Sequence, residues 1–272
     1  METKTLNRVS VVVTRYNEYI DWIDYIINKV DTIHIYNKGP NENFFRYFDP
    51  KDHPEKVKFH TIENVGRIDH TLTHHILENW DTLPEVLVNL PGSIMMCERK
   101  GYYLNAIMKR IGLISSRYSG FFGPKFHKVS PKFNYNIDNY QAEGACNRNS
   151  NPFIKSEYKD FQAWKTALVD TRPMRYVTMR GMFAVSRENI THIDRGIYER
   201  LRISLSVGDN IENGHFAERI WAHLFRQYSF DNKVNTQIDK PVEKTNSVQE
   251  TNSVQETLTV LLSDTQRTVS VS

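Results

Sequence analysis

The sequence predicts an α/β protein built on a mixed, mostly parallel sheet flanked by helices. Short apolar and β-branched runs alternate with amphipathic stretches along the first 114 residues, and this alternation favours parallel strands joined by crossovers. The chain has 272 residues, of which 39% are hydrophobic, so it is long enough to bury a sizeable core. We expect one domain over residues 1–230.

The first half of the chain supplies the predicted parallel strands. Val9–Thr14 is apolar and β-branched, which is typical of a buried strand. Apolar residues then recur at helical spacing across Tyr19–Val30 and predict an amphipathic helix. The other elements predicted in this half are strands at Thr32–Tyr36, Lys56–Ile62 and Glu85–Leu90 and helices over residues 68–80 and 101–114.

The second half begins with an irregular stretch. Residues 115–160 are rich in Asn, Ser, Tyr, Phe, Pro and Gly and have little periodicity, which indicates a functional loop region. Regular patterns then return and predict a strand at Gly181–Val185, short helices at Glu188–Ile193 and Gly196–Ser206, and a final helix at Gly214–Gln227.

Residues 231–272 differ in character from the rest. The hexapeptide TNSVQE occurs twice in tandem, at Thr245–Glu250 and Thr251–Glu256, and two such polar copies are too short for a solenoid. This composition predicts a mobile, low-complexity tail. Leu258–Leu262 is apolar enough to dock as a strand.

Composition argues against several classes of protein. The 35 basic residues nearly balance the 32 acidic ones, which disfavours a nucleic-acid partner. The two cysteines, Cys97 and Cys146, lie far apart and outside any CxxC spacing, which fits a reducing compartment. No apolar run reaches the ~20 residues that span a bilayer. We therefore expect a cytoplasmic protein without a membrane span.

Polar side chains follow the predicted strands at the edge of the sheet where α/β proteins bind ligands. Structural roles are also open to them: Asn17 and Glu18 can cap the next helix, Asn37–Pro40 is an adequate turn, and Asp69 can serve a helix dipole. Arg67 is explained least by such a role. The candidate ligand-binding residues are Arg15, Tyr16, Asn17, Glu18, Asn37, Lys38, Arg67 and Asp69.

Several segments together resemble known families. VVVTRYNEYIDWI (residues 11–23) followed by IHIYNKG (33–39) resembles the opening of GT-A glycosyltransferases. NVGRIDHTLTHHILENWDTLPEVLVNLPG (64–92), GMFAVSRENI (181–190) and GHFAERIWAHLF (214–225) resemble an uncharacterised family shared by fungi and large DNA viruses. The order and spacing of these motifs carry the resemblance over nearly all of the chain except the tail.

The resemblance implies a GT-A-like fold and transfer of a sugar from a nucleotide-sugar donor, with a UDP-sugar favoured, to a glycan or glycoprotein acceptor. It is compatible with a capsid-glycan enzyme of an algal virus in the host cytoplasm, with UDP-xylose as one candidate donor. The candidate residues above, together with Asn89, would then bind the donor. Glu218 is the candidate base, and His215 and Glu212 lie near it in sequence at the start of the last helix.

One departure from the GT-A pattern concerns the metal. A DxD motif that holds Mn²⁺ or Mg²⁺ is expected after the fourth strand, yet Val88–Ser93 contains no carboxylate. Either cationic side chains neutralise the diphosphate, or residues distant in sequence hold a divalent metal. The cationic candidates are Lys38, Arg67, Arg180 and Arg187.

Rival functions fit the sequence less well. A catalytically inactive module that binds a sugar nucleotide or carbohydrate is the main alternative, and it predicts affinity without turnover. A methyltransferase or dehydrogenase of the Rossmann type needs a glycine-rich loop after the first strand, where this chain has Arg15–Glu18. The sequence also lacks the GxSxG motif of α/β-hydrolases.

Overall fold

A computed structural model describes residues 9–96, 98–114, 120–135, 137 and 152–226. The predicted tail, residues 231–272, lies outside this part. The strands are β1 (Val9–Arg15), β2 (Thr32–Asn37), β3 (Val57–Thr61), β4 (Val86–Pro91), β5 (Phe121–Phe122), β6 (Phe126–Lys128), β7 (Tyr176–Thr178) and β8 (Phe183–Ser186). The α-helices are α1 (Asp24–Ile27), α2 (Arg67–Glu78), α3 (Glu98–Met108), α4 (Phe161–Leu168), α5 (Arg187–Thr191), α6 (Arg195–Leu205) and α7 (Glu212–Phe225).

Six of the described strands form one sheet in the order β3-β2-β1-β4-β8-β5. The first four strands in sequence pair in parallel, whereas β8 runs antiparallel to both β4 and β5. The predicted mixed, mostly parallel sheet is therefore confirmed. Since β2 and β3 lie on one side of β1 and β4 on the other, the strand order switches direction between β1 and β4. Ligands of open α/β sheets bind at the carboxyl ends of the strands beside such a switch.

The sheet has an apolar layer on each face because side chains alternate along its strands. Val11 and Val13 of β1 pack into a cluster with α1 and α3. Val12 points the other way, into a larger cluster that includes α2, α4, α6 and α7. Burial of one such aliphatic side chain contributes about 1.5–3 kcal/mol relative to exposure. Both faces of β1 and β4 are therefore covered, and the edge at their carboxyl ends carries the polar groups.

The structure changes the first predicted helix. The sequence predicts a helix over Tyr19–Val30, whereas α1 is a short segment preceded by a 3-10 turn at Asp21–Ile23. The Asp21 carboxylate accepts three backbone N–H groups from the loop at residues 46–48, and Ile20 N–H bonds to the Phe44 carbonyl. The start of the segment is thus tied to that loop and does not continue as a regular helix.

No helix within the described ranges is long and apolar enough to cross a bilayer.

The predicted irregular stretch at residues 115–160 contains the two short strands β5 and β6. Helix α4, which the sequence analysis did not identify, follows that stretch, and the Asp160 side chain caps it by accepting the Ala163 N–H at 2.9 Å.

A layer of histidines lies between β2, β3 and α2. His34 Nδ1 is 3.1 Å from His60 Nε2, and the hydroxyl of Tyr36 is 2.9 Å from His75 Nδ1. Burial, together with the neighbouring His60 and Lys58, lowers the pKa of His34 to about 4. Among the described residues, no group of three His, Cys, Asp or Glu side chains is arranged to hold a metal ion.

This layer predicts acid-sensitive stability. Because the pKa of His34 is lower in the folded state than the usual 6.5, the unfolded chain takes up the proton first, and stability falls as the pH drops from about 6.5 to 4. We expect His34 to account for about 3 kcal/mol of this loss. The free energy of urea unfolding, measured at pH 7 and pH 4, should therefore depend less on pH in His34→Phe than in the wild type. His127→Phe is the control, since His127 is exposed on β6. Equal pH dependence in wild type and His34→Phe would contradict this assignment.

Candidate functional site

The carboxyl ends of the parallel strands and the start of β8 meet at one edge of the sheet, which we call the carboxyl edge. Its segments are Arg15–Glu18 at the end of β1, Asn37–Lys38 at the end of β2, Gly66–Asp69 at the start of α2, Pro91–Ser93 at the end of β4 and Arg180–Gly181 before β8. The structure therefore brings together most of the residues that the sequence analysis singled out.

Arg15 and Asn37 form the framework of this edge. The Arg15 side chain is fully buried, and its guanidinium donates to Asn37 Oδ1 at 2.7 Å and to the carbonyls of Asn41 and Asn43 at 2.5 and 2.9 Å. Asn37 Nδ2 in turn donates to the Gly39 carbonyl at 2.8 Å. These contacts fix the loop after β2, and a direct contact of either side chain with a ligand stays a prediction.

Glu18 organises the segment that leaves β1. Its carboxylate accepts the backbone N–H of Tyr16 at 2.7 Å and of Asn17 at 3.1 Å. The alternative role as a helix cap is not observed, because the 3-10 turn that begins at Asp21 has no side-chain cap. Tyr16 is 45% exposed, so its ring remains accessible for stacking against a ligand.

The first of two left-handed turns lies at Gly66 and Arg67. Gly66 has φ +57° and Arg67 has φ +56°, a region that residues other than glycine rarely adopt. A Cβ on Gly66 would press on the Leu205 carbonyl and lie 2.6 Å from His70 Cβ. The Gly66 N–H donates to the Gly208 carbonyl at 2.7 Å. Glycine is therefore required at position 66, and Arg67 is held in a strained conformation.

Lys38 stabilises this turn by hydrogen bonds to its backbone. Its ammonium donates to the carbonyls of Val65 and Arg67, the latter at 2.7 Å, and the residue is only 8% exposed. Burial lowers the pKa of Lys38 to about 7, although the carboxylates of Asp69 and Asp209 act in the opposite direction. Lys38 thus faces backbone carbonyls, and its contact with a diphosphate stays a prediction.

The side chain of Arg67 extends towards the start of α7. Its Nη1 is 3.1 Å from His215 Nε2, and its aliphatic part packs over Gly214, where a Cβ would lie 3.3 Å from Arg67 Cδ. Burial, together with the charges of Arg67 and Arg219, lowers the pKa of His215 to about 3. His215 is therefore neutral at pH 7, and its Nε2 accepts the bond because a guanidinium can only donate.

Asp69 is buried in the first turn of α2, next to the carboxyl edge. It is 2% exposed, and its Oδ1 accepts the indole N–H of Trp221 at 2.7 Å. Burial raises the pKa of Asp69 to about 7, opposed by the Trp221 bond and by the charges of Arg67 and Lys38. The carboxyl group is thus poised to gain or lose a proton near neutral pH.

The second left-handed turn lies at Arg180 and Gly181, with φ +71° and +61°. The Arg180 N–H donates to Glu218 Oε1, and Asn89 Nδ2 donates to the Gly181 carbonyl at 2.7 Å. Glu218 Oε2 is 3.7 Å from Arg219 Nη1, and the Glu218 side chain is 22% exposed. This turn is therefore held by two side chains that come from β4 and α7.

The two turns adjoin each other. A Cβ on Gly181 would lie 3.0 Å from Cγ2 of Ile68, which follows Arg67 directly. Each turn thus carries an arginine in a left-handed conformation at the carboxyl edge. The ring centroid of Tyr103 on α3 lies 5.8 Å from Arg180 Cζ.

Two candidate residues have other surroundings, and a third, Asn89, supports the second turn from within β4. Glu212 lies at the start of α7 and accepts the Ser156 N–H at 3.0 Å. Arg187 follows the carboxyl end of β8, at the opposite edge of the sheet, and donates to the Pro84 carbonyl at 3.4 Å. Asn89 is completely buried in β4, and its Oδ1 has no hydrogen-bond partner within the described part of the chain.

Sequence reasoning missed two residues of this edge. Trp221 binds Asp69 across 152 positions of sequence, and Lys100 of α3 donates to Ser93 Oγ at 3.0 Å after β4. Neither residue stands next to a predicted strand end, so no local signal marks them.

Comparison with known proteins does not assign this chain to a family. No family model, curated protein or solved structure matches this chain. The fold and the edge therefore define an α/β protein with a candidate ligand site at the switch point of its sheet.

Gly66 provides a direct test of the first turn. Gly66→Ala is expected to lower the free energy of unfolding by at least about 2 kcal/mol, because it adds both a left-handed L-residue and a steric overlap. Gly112→Ala is the matched control, since nothing lies within 4 Å of the added Cβ there. Urea unfolding of the two variants checks this, and equal stabilities would show that the turn is not constrained.

Proposed function

We propose that the protein is a glycosyltransferase that uses a nucleotide-diphosphate sugar, with a UDP-sugar favoured, and a glycan acceptor. The observation that carries this proposal is the pair of adjoining left-handed turns that present Arg67 and Arg180 at the switch-point edge. The motif resemblance to GT-A enzymes supports the same conclusion independently of this geometry.

The leaving group explains why two arginines matter. When the bond between the anomeric carbon and the diphosphate oxygen breaks, the electron pair stays on the diphosphate and negative charge develops there. Guanidinium groups are planar, permanently charged and suited to phosphate oxygens, and donors fixed in advance stabilise such charge most effectively. Strained backbone that is held from several sides is typical of functional sites.

The residues after β4 do not fit the metal that the GT-A resemblance implies. Leu90–Ser93 carries no carboxylate that would hold a hard divalent cation. In this proposal the arginines provide the positive charge, and no step depends on a bound metal.

Glu218 is the candidate for the proton transfer. Its Oε1 holds the Arg180 N–H, which leaves Oε2, 3.7 Å from Arg219, as the proton acceptor. In an inverting transfer the acceptor hydroxyl gives its proton to Glu218, its oxygen bonds to the anomeric carbon, and the diphosphate departs. His215 is neutral beside Arg67 and acts in this account by orienting the guanidinium.

The alternative is a binding module without activity. It is favoured by one feature, namely that Glu218 already accepts the Arg180 N–H and can serve the turn alone. This alternative predicts affinity for sugar nucleotides without product formation.

The donor class is tested by thermal unfolding of the protein with UDP, GDP, UDP-glucose and UDP-xylose, each with and without Mn²⁺. A ligand at 100 times its dissociation constant adds about 2.7 kcal/mol to stability. Stabilisation by a uridine nucleotide without metal is expected. Absence of any shift in folded protein would refute the proposal.

The two arginines should each contribute to nucleotide affinity. Arg67→Ala and Arg180→Ala are expected to weaken UDP binding by about 1–3 kcal/mol, because each removes a charge-assisted contact. Titration calorimetry measures this, with Arg187→Ala at the opposite edge as the control. If Arg187→Ala lost as much affinity as the other two, the carboxyl edge would not be the binding site.

Two substitutions of Glu218 separate its roles. Glu218→Gln keeps an oxygen for the Arg180 N–H, so it should leave UDP affinity intact and slow sugar transfer by about 100-fold or more. Glu218→Ala should lose both affinity and turnover. Rates are measured by product formation from the donor identified above. A Gln variant with wild-type turnover would remove Glu218 from the proton transfer.

A further inference from the structure

The surroundings of Lys38 assign it a role different from a ligand contact. The ammonium donates to the carbonyls of Val65 and Arg67, which flank Gly66. Two of its three N–H groups are thus directed at the turn. The backbone N–H of Lys38 also donates to the Arg15 carbonyl at 2.9 Å, so the lysine is fixed to the sheet beside the switch point.

We propose that Lys38 is a positioning residue that fixes the left-handed conformation of Arg67 and affects a bound diphosphate only through that arginine. This inference rests on the proposed function for its ligand. In this proposal the bonds from Lys38 to the carbonyls of Val65 and Arg67 keep the Arg67 guanidinium at the carboxyl edge.

The contacts explain why a cation is needed there. Left-handed backbone at an L-residue costs energy, and the two carbonyls that Lys38 binds are that of Arg67 itself and that of Val65, on the other side of Gly66. An ammonium satisfies two carbonyls at once, and charge-assisted bonds are stronger than neutral ones. The charges that face Lys38 are the carboxylates of Asp69 on α2, Glu63 after β3 and Asp209 before α7. Burial lowers the pKa of Lys38, and these carboxylates oppose that effect by favouring the charged form of the amine.

Lys56 provides a matched control within the same protein. Its ammonium also donates to two backbone carbonyls, of Ile27 at 2.9 Å and Val30 at 3.4 Å. Those carbonyls lie before β2, at the amino end of the sheet. Lys38→Met and Lys56→Met therefore remove the same kind of interaction at opposite edges.

A double-mutant cycle on UDP affinity tests the proposal. Lys38→Met alone is expected to weaken binding about tenfold, and less than about twofold when Arg67 is already alanine, because the two residues act as one unit. Lys56→Met should leave affinity unchanged. Additive losses for Lys38→Met and Arg67→Ala would mean that Lys38 contacts the ligand itself. An equal loss in Lys56→Met would mean a general effect of stability. Either result overturns the proposal.

Amide hydrogen exchange without ligand gives a second readout. Lys38→Met should speed exchange of the Gly66 N–H, which is bonded to the Gly208 carbonyl, whereas Lys56→Met should not. Unchanged exchange in Lys38→Met would overturn the positioning role. If wild-type protein binds no UDP, the proposed function fails, and the exchange result alone still decides the role of Lys38.

Discussion

Two left-handed turns at the carboxyl edge depend on side chains that reach them from distant parts of the chain. Lys38 donates to the carbonyls of Val65 and Arg67 at the first turn. Glu218 and Asn89 bond to the backbone of the second turn, at Arg180–Gly181. Non-glycine residues in this conformation persist only where their surroundings determine it. The position of both arginines is therefore a product of tertiary structure, and the proposed chemistry depends on it.

The sheet explains why these supports meet. Parallel strands send their carboxyl ends to one edge, and the antiparallel β8 starts at that same edge. Helix α7 then packs on β7 and on α2, which brings His215 to Arg67, 148 positions earlier, and Glu218 to Arg180, 38 positions earlier. Neutral His215 lies beside Arg67, and the positive charges of Arg67 and Lys38 oppose the rise that burial causes in the pKa of Asp69.

The sequence predicts much of this arrangement, because periodicity and strand ends are local signals. The four parallel strands and α2 follow from local apolar patterns. Lys38 is marked by its place at the end of a predicted strand, and Arg67 by its place before a predicted helix. Other features were not predictable from local patterns. Asp21 ties the first predicted helix to a loop through three backbone N–H groups, and no composition signal encodes that. The left-handed φ values of Arg67 and Arg180 could not be predicted from the sequence either, because the neighbouring glycines are the only local indication of them. The bond from Trp221 to Asp69 spans 152 positions and depends on how α7 docks.

The most direct test of the account is a crystal structure of the protein with UDP, grown without divalent metal. The account predicts diphosphate oxygens within hydrogen-bond distance of the guanidinium groups of both Arg67 and Arg180, with the uridine beside the exposed ring of Tyr16. A nucleotide bound elsewhere, or a diphosphate at this edge that contacts neither arginine, would contradict the claim that the paired turns form the donor site.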